Sequence, residues 1–280
     1  MLLATVLSLG AAVLHAGWNF VAKRADGDRY MVLWAQFFIA GVICLPLAIG
    51  NHVLYGMPAE AYLFAALSGA VHLPYCWLLA RAYTIGDFSV SYPVARGGGA
   101  ALAAIGGVVF LADDLTPWHV AGIAVVVAGL SILAIGATGL NIAVALSVAV
   151  TIGVYSVLDA AGSRAKDDTI AYIFLTMVAG GLANTVFALG TGRRHDMAAV
   201  LRTRWRISLV TGIATTITYG MVVVAFRLAP VGYVTALRES SVVLAALAGW
   251  KLLGEGDHRR RIAAASIVLV GILLLVFGRV

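Results

Sequence analysis

Ten apolar segments of about 20 residues each divide nearly the whole 280-residue chain, and short polar connections separate them. An apolar helix of that length spans the hydrocarbon core of a bilayer. Hydrophobic residues make up 62% of the chain and charged residues 11%, against about 45–50% and about 25% in soluble domains. The pattern predicts an all-α integral membrane protein with ten transmembrane helices, near residues 2–22, 31–50, 60–80, 88–111, 117–137, 140–160, 169–190, 207–227, 231–253 and 261–278.

The two halves of the chain resemble each other when the second is aligned on the first. Ala40-Gly41 aligns with Gly180-Gly181, and the spacing from Arg96 to Asp113 recurs from Arg238 to Glu255. Each half holds five segments, an odd number, so the copies should cross the membrane in opposite senses. The sequence therefore predicts two inverted five-helix repeats, residues 1–138 and 139–280, a plan that recurs in secondary transporters.

Several other classes of protein lack support in the sequence. The chain has no Walker A, His-Glu-x-x-His or Gly-x-Ser-x-Gly motif, which favours neither an enzyme nor a cofactor. Cys44 and Cys76 have no partner at ligand spacing, so we expect no metal and no disulfide. The net charge of +6 comes from residues spread over short connections, which indicates membrane topology and not nucleic-acid binding.

Two arginines occupy matching places inside apolar segments 4 and 9. A charge at the centre of a membrane helix costs about 2.5–3.5 kcal/mol and normally faces a cavity or a partner. Arg96 and Arg238 can therefore hold the anionic part of a solute, since the guanidinium fork fits carboxylate or phosphate. The alternative is structural: Glu239 or another internal acid neutralises Arg238, which then only fixes helix packing, and Arg96 bonds carbonyls freed near Pro93.

A polar stripe in segment 1 has a counterpart in segment 6. His15, Asn19 and Lys23 recur every fourth residue and lie on one helix face. Trp18-Asn19 and Tyr155-Ser156 stand at related places in the two halves, which is what a pocket between two related halves would present. We expect Asn19 to line that pocket and Lys23 to reach the membrane interface.

Further polar and aromatic residues in the apolar segments complete the candidate set. His72 lies two positions before Pro74, which can interrupt the helix ladder and shape a cavity. Any coupling to protons would use Glu239, Asp159, His15 or His72. The predicted solute-binding residues are Trp18, Asn19, His72, Tyr92, Arg96, Tyr155, Ser156, Tyr219, Arg238 and Glu239.

Three stretches of the chain resemble the EamA-type family of the drug/metabolite transporter superfamily. They are HAGWNFVAK (15–23), GDFSVSYPVARGGG (86–99) and VGYVTALRESSVVLAALAGWKLLGE (231–255), in the family's order and spacing. The resemblance implies a multi-pass carrier of the cell (inner) membrane, working by alternating access through a cavity lined by spans 1, 3, 4, 6, 8 and 9. Asp113-Asp114 departs from the family's common Gly-Glu at the end of the first half, where we expect a loop cap.

The sequence and the resemblance together predict a secondary active transporter. Its solute would be amino-acid-like or a small organic anion, moved outward, with proton or exchange coupling left open. The partners expected are that solute and the lipid bilayer, and the chain is expected to act as a monomer or homodimer. The alternative is a membrane-embedded lipid-handling protein or enzyme that uses the arginine-lined cavity.

Basic residues in the connections predict the orientation. Segments 1, 3, 5, 7 and 9 are followed by 13 basic residues and the other segments by 4. The positive-inside rule makes the first face cytoplasmic, so both termini, Val280 included, would face away from the cytoplasm. The family resemblance implies the opposite, with both termini inside.

Overall fold

Every regular element in the described part of the chain is an α-helix. The computed structural model describes residues 1–24, 27–113, 116–135, 138–165, 169–254 and 258–277, so Asp114, Glu255 and Val280 lie outside the described residues. The helices are α1 (Leu2–Arg24), α2 (Arg29–Tyr55), α3 (Ala59–Ile85), α4 (Phe88–Leu111), α5 (Pro117–Ala134), α6 (Gly139–Arg164), α7 (Thr169–Gly190), α8 (Arg194–Leu228), α9 (Val231–Arg238), α10 (Ser241–Leu253) and α11 (His258–Phe277).

Within the described ranges, eight membrane spans are long and apolar enough to cross a bilayer. They are α1 to α4, α6 to α8, and the α9–α10 unit over Val231–Leu252. Helices α5 and α11 contain shorter apolar stretches, Pro117–Ile132 and Ile262–Gly271. The chain is thus an all-helical, multi-pass membrane protein, while the full set of ten crossings stays a prediction.

Local chemistry explains several helix boundaries. Asp28 precedes α2, and its carboxylate accepts hydrogen bonds from the backbone N–H groups of Tyr30 and Met31 at 2.8 and 3.3 Å, satisfying donors that a helix start leaves free. Thr116 and His119 form a capping box at α5, with Pro117 in the first turn. Helix α3 continues through Pro74, which has no N–H and leaves one bond of the helix ladder unmade.

Helix α8 begins at Arg194, well before the apolar segment predicted at 207–227. Its first part carries several arginines, so hydropathy does not predict this part of the helix. Three side chains of this part, Met197, Val200 and Leu201, pack against the hydrophobic core. At Arg204 the backbone leaves helical geometry, with φ −126° and ψ 17°, and the helix bends there.

Small residues let the helices approach closely. Helices α2 and α7 cross at Gly41 and Gly181, where a β-carbon on Gly181 would lie 2.7 Å from the carbonyl oxygen of Phe37. Gly98 and Gly99 of α4 meet Ala149 and Ile152 of α6 in the same way. These contacts are typical of membrane helices, whose association depends on packing because lipid is as apolar as their side chains.

Candidate functional site

A tight turn separates α9 from α10 in the middle of one membrane span. The N–H of Ser240 donates to the carbonyl of Leu237 at 3.2 Å, and the N–H of Val242 donates to the carbonyl of Glu239 at 2.9 Å. These are i to i+3 bonds, tighter than the α-helical pattern. At this turn, the consecutive side chains of Arg238 and Glu239 meet different neighbours.

Glu239 forms a buried ion pair with Arg96 of α4. Nη2 of Arg96 donates to Oε1 of Glu239 at 2.8 Å, and the two side chains are only 3% and 1% exposed. Tyr92, one turn earlier on α4, donates its hydroxyl to Ser241 Oγ at 2.8 Å. In the structural alternative, Glu239 would neutralise Arg238 and Arg96 would bond carbonyls near Pro93; Glu239 and Arg96 contact each other instead.

Arg238 instead lines a cavity between the two halves. The residue is 5% exposed, and its Nε is buried without a hydrogen-bond partner. Within the described residues, no side chain forms a hydrogen bond or an ion pair with the Arg238 guanidinium. The cavity has a volume of about 30 Å³ and is lined by His15, Trp18, Phe37, His72, Tyr75, Tyr155, Asp159, Met177, Thr215, Thr218, Tyr219, Val222 and Arg238.

Aromatic rings form much of the cavity wall. His72 stacks on Tyr155, with ring centroids 4.7 Å apart and an interplanar angle of 26°. Tyr75 meets Tyr155 edge-on at 5.6 Å, and His15 meets Trp18 edge-on at 4.6 Å. Such rings offer apolar area to the body of a solute and a negative face to a cation.

Asp159 of α6 joins four helices at one side of the cavity. Its Oδ1 accepts hydrogen bonds from Ser68 Oγ of α3 at 2.5 Å, from the Tyr219 hydroxyl of α8 at 2.8 Å, and from the Tyr172 hydroxyl of α7 at 3.0 Å. Three donors on one oxygen stabilise an ionised carboxylate. The same bonds hold the carboxylate in one orientation.

The buried charges of the described residues sum to zero. Arg96 and Arg238 supply two positive charges, and Glu239 and Asp159 supply two negative ones. Arg96 and Glu239 are in contact, whereas Arg238 and Asp159 line the same cavity without forming an ion pair. Arg96 and Glu239 share one hydrogen bond, while Nε and Nη1 of Arg96 and Oε2 of Glu239 stay buried without a partner. Arg238 and Asp159 line the cavity instead.

The cavity brings together five of the ten predicted binding residues: Trp18, His72, Tyr155, Tyr219 and Arg238. Asn19 does not line it; its amide accepts the Tyr83 hydroxyl at 2.6 Å and donates to the His15 carbonyl at 2.8 Å. The other four are buried outside the lining: Tyr92, Arg96, Ser156 and Glu239.

The helices that line the cavity also differ from the expected set. Helices α2 and α7 contribute Phe37 and Met177, while no described side chain of α4 reaches the lining. Tyr92 and Arg96 of α4 face the α9–α10 unit instead, where they bond Ser241 and Glu239. Helix α4 therefore contacts the α9–α10 unit and does not line the cavity.

Basic side chains contact backbone carbonyls at the ends of α3 and α8. Lys23, expected at the membrane interface, donates to the carbonyls of Tyr83 and Gly86 at the end of α3, at 3.0 and 2.9 Å. Arg164, in the second half of the chain, donates from Nε to the carbonyl of Phe226 at the end of α8, at 3.2 Å. Each cation thus caps carbonyls that a helix end leaves free.

Asp113 completes the second of these contacts. Its Oδ1 accepts Arg164 Nη1 at 2.7 Å, and its Oδ2 accepts the backbone N–H of Val231, the first residue of α9, at 2.7 Å. The loop cap expected at this position is therefore a link between α4, α6 and α9. Across the described residues, no group of three or more His, Cys, Asp or Glu side chains is placed to hold a metal ion.

Cysteine labelling will test whether the cavity takes up water-soluble molecules. In a variant without Cys44 and Cys76, Tyr155→Cys should react with a small methanethiosulfonate reagent, because residue 155 lines the cavity. Ala145→Cys on the same helix should not, since Ala145 is buried outside the lining. Equal rates at the two positions would contradict the described cavity.

Comparison with known proteins agrees with this architecture. One solved structure, titled "Crystal structure of protein", is similar in fold, with a TM-score of 0.71 and 17% sequence identity over 98% of each chain. No curated protein matches the chain. The sequence profile described as "EamA-like transporter family" matches residues 139–277. The chain belongs to the EamA-like transporter family of the drug/metabolite transporter superfamily.

Proposed function

We propose that the protein is a secondary carrier that exports a small organic solute bearing an anionic group, by alternating access. The observation that carries this proposal is the buried Arg238 guanidinium, which lines the cavity with no ion-pair partner among the described residues. A charge in that position needs compensation. A carboxylate or phosphate that enters the cavity supplies it, in the fork geometry that arginine favours. The outward direction rests on the family resemblance.

The packing of the helices supports ten crossings arranged as two inverted repeats. Helices α2 and α7, the second of each half, lie against each other, as do α5 and α11, the last of each half. Helix α1 packs on α8, and its counterpart α6 packs on α3. This is the pattern of partners that a two-fold relation between the halves produces, with the cavity where they meet.

The two capped helix ends support alternating access. Lys23 links the ends of α1 and α3 in the first half, and Arg164 links the ends of α6 and α8 in the second. In inverted repeats these equivalent contacts lie at opposite faces of the membrane. Opening one while the other stays closed would expose the cavity to each side in turn.

Metabolite profiling tests the proposed function directly. Cells that express the protein should accumulate at least one anionic or zwitterionic metabolite outside and lose it from the cytoplasm. Cells that express Arg238→Ala at the same membrane level should not. A wild-type profile identical to that of the variant would contradict a carrier that acts through Arg238.

The proposal includes a location in the cell membrane with both termini away from the cytoplasm. The arginines at the start of α8 and at the start of α11 dominate the charge count, and moving them across the bilayer is unfavourable. A reporter active only in the cytoplasm, fused after Val280, should therefore be silent. The same reporter inserted in the 191–193 turn between α7 and α8 should be active, and the reverse result would support the family orientation.

A further inference from the structure

One carboxylate oxygen of Asp159 accepts hydrogen bonds, and the other accepts none from the described residues. All three hydroxyl donors reach Oδ1, and no described residue donates a hydrogen bond to Oδ2. Asp159 lines the cavity, so the unused oxygen belongs to a residue that a solute can contact. A carboxylate oxygen without a donor is a strong acceptor for a positively charged group.

The charge balance of the cavity restricts the solute further. Arg238 and Asp159 are the two ionised side chains of the described lining, opposite in sign and not in contact. A simple anion on Arg238 would leave the Asp159 charge uncompensated among apolar and aromatic walls, where electrostatic interactions are weakly screened. A solute with a charge of each sign compensates both side chains and keeps the site neutral.

We propose that Asp159 binds a positively charged nitrogen of the solute, so that the carrier selects zwitterions over simple anions. Arg238 binds the anionic end and Asp159 the cationic end, with the apolar body against Trp18 and Tyr155. This inference rests on the proposed function and narrows its substrate class. It makes Asp159 a specificity-determining residue, a role that the sequence alone did not give it.

The surrounding hydroxyl groups support this assignment. Ser68, Tyr172 and Tyr219 come from three different helices and converge on the same oxygen, which fixes the carboxylate before a solute arrives. A binding group held in place loses little conformational freedom when it binds. The nearby rings of His72, Tyr155 and Tyr219 add negative faces beside the cation.

Two sets of matched compounds test the proposal on the wild-type protein. One set is leucine, 4-methylpentanoate and 3-methylbutylamine; the other is phenylalanine, 3-phenylpropanoate and 2-phenylethylamine. Within each set the hydrocarbon side chain is nearly constant. The amino acid carries both charges, the acid carries only the negative charge, and the amine carries only the positive charge. Binding is measured by calorimetry and thermal shift on purified protein. At least one amino acid should bind roughly 10-fold or more tightly than both of its single-charge analogues.

Variants assign the effect to Asp159. Asp159→Asn keeps a carbonyl oxygen for the three hydroxyl donors and should weaken amino-acid binding roughly 10- to 100-fold, while the acid analogue binds no more weakly than before. Asp196→Asn removes the same charge from an exposed position on α8 and should change neither affinity. The wild-type comparison stands even if Asp159→Asn does not fold.

The outcomes that contradict each proposal are distinguishable. Acids that bind wild-type protein as tightly as the amino acids would overturn the inference while leaving the proposed function intact, as would binding of no amino acid at millimolar concentration. Unchanged amino-acid affinity in Asp159→Asn, with transport no longer responding to a pH gradient, would assign Asp159 to a proton and also overturn it. Failure of the proposed function itself would appear as undiminished solute binding by Arg238→Ala.

Discussion

Arg238→Ala will lower transport by at least about 100-fold, because it removes two charge-assisted hydrogen bonds worth roughly 3 kcal/mol or more together. The guanidinium is buried beside the cavity and, among the described side chains, has no ion-pair partner that its loss would disturb. The variant should fold and reach the membrane, since a buried carboxylate can take up a proton when one positive charge is lost. Uptake of the solute into proteoliposomes, measured at equal protein content, checks this result.

Two further variants separate geometry from charge. Arg238→Lys keeps the positive charge but cannot reproduce the planar fork, so it should recover only a small part of the activity. Arg202→Ala removes the same charge from an exposed position before the bend in α8 and should transport normally. Full transport by Arg238→Ala would remove this arginine from the binding site.

Glu239→Gln will destabilise the protein by about 3–5 kcal/mol, the usual cost of leaving one member of a buried ion pair without its partner. The loss is large here because Arg96 and Arg238 would then place two positive charges in the bundle against Asp159 alone. The melting temperature in detergent should fall by about 10 °C. Size-exclusion chromatography before and after heating checks the same change.

A double-mutant cycle identifies the pair as the cause. Arg96→Met leaves Glu239 next to Arg238 in sequence, and the loss should be smaller than in Glu239→Gln because one positive charge then remains against two negative ones, with the freed carboxylate able to take up a proton. The combination Arg96→Met/Glu239→Gln should be more stable than the sum of the two changes predicts, as expected for residues in contact. Additive effects would mean that the 2.8 Å contact contributes nothing.

The charged residues of the membrane spans could be identified from sequence, but their partners could not. Arg96, Arg238 and Glu239 stand out because each interrupts an apolar segment. Only the packing of α4 against the α9–α10 unit shows that Glu239 pairs with Arg96, distant in the chain, and not with its sequence neighbour. A turn at Glu239 and Ser240 lies at this contact, and no glycine or proline there signals it.

Two residues with hydroxyl groups, Ser68 and Tyr172, were the least predictable part of the site. Ser68 lies in α3 among alanines, leucine and glycine, where it resembles a packing residue. Tyr172 stands near the start of α7, where an aromatic residue suggests an interface belt. Their role depends on Asp159, and it appears only when three helices converge on that carboxylate.

The extent of α8 was missed for a different reason. Hydropathy finds helices that are apolar along their whole length, whereas the segment 194–206 carries several arginines and only a narrow apolar face. The apolar residues Met197, Val200 and Leu201 recur three and four positions apart, which is the helical spacing. A search for periodicity would have extended this helix toward residue 194.

The distance along the chain between Arg96 and Glu239 affects how the protein is made. Ribosomes add about 5–20 residues per second, so the segment between them takes roughly 7 to 30 s to synthesise. During that interval α4 enters the membrane with its arginine unpaired, at a cost of about 2.5–3.5 kcal/mol that its long apolar flanks must offset. The charge of Arg96 in the first half therefore stays unpaired until Glu239 of the second half has been synthesised. Chains that stop before residue 239 retain an uncompensated charge, a feature that membrane quality control can recognise.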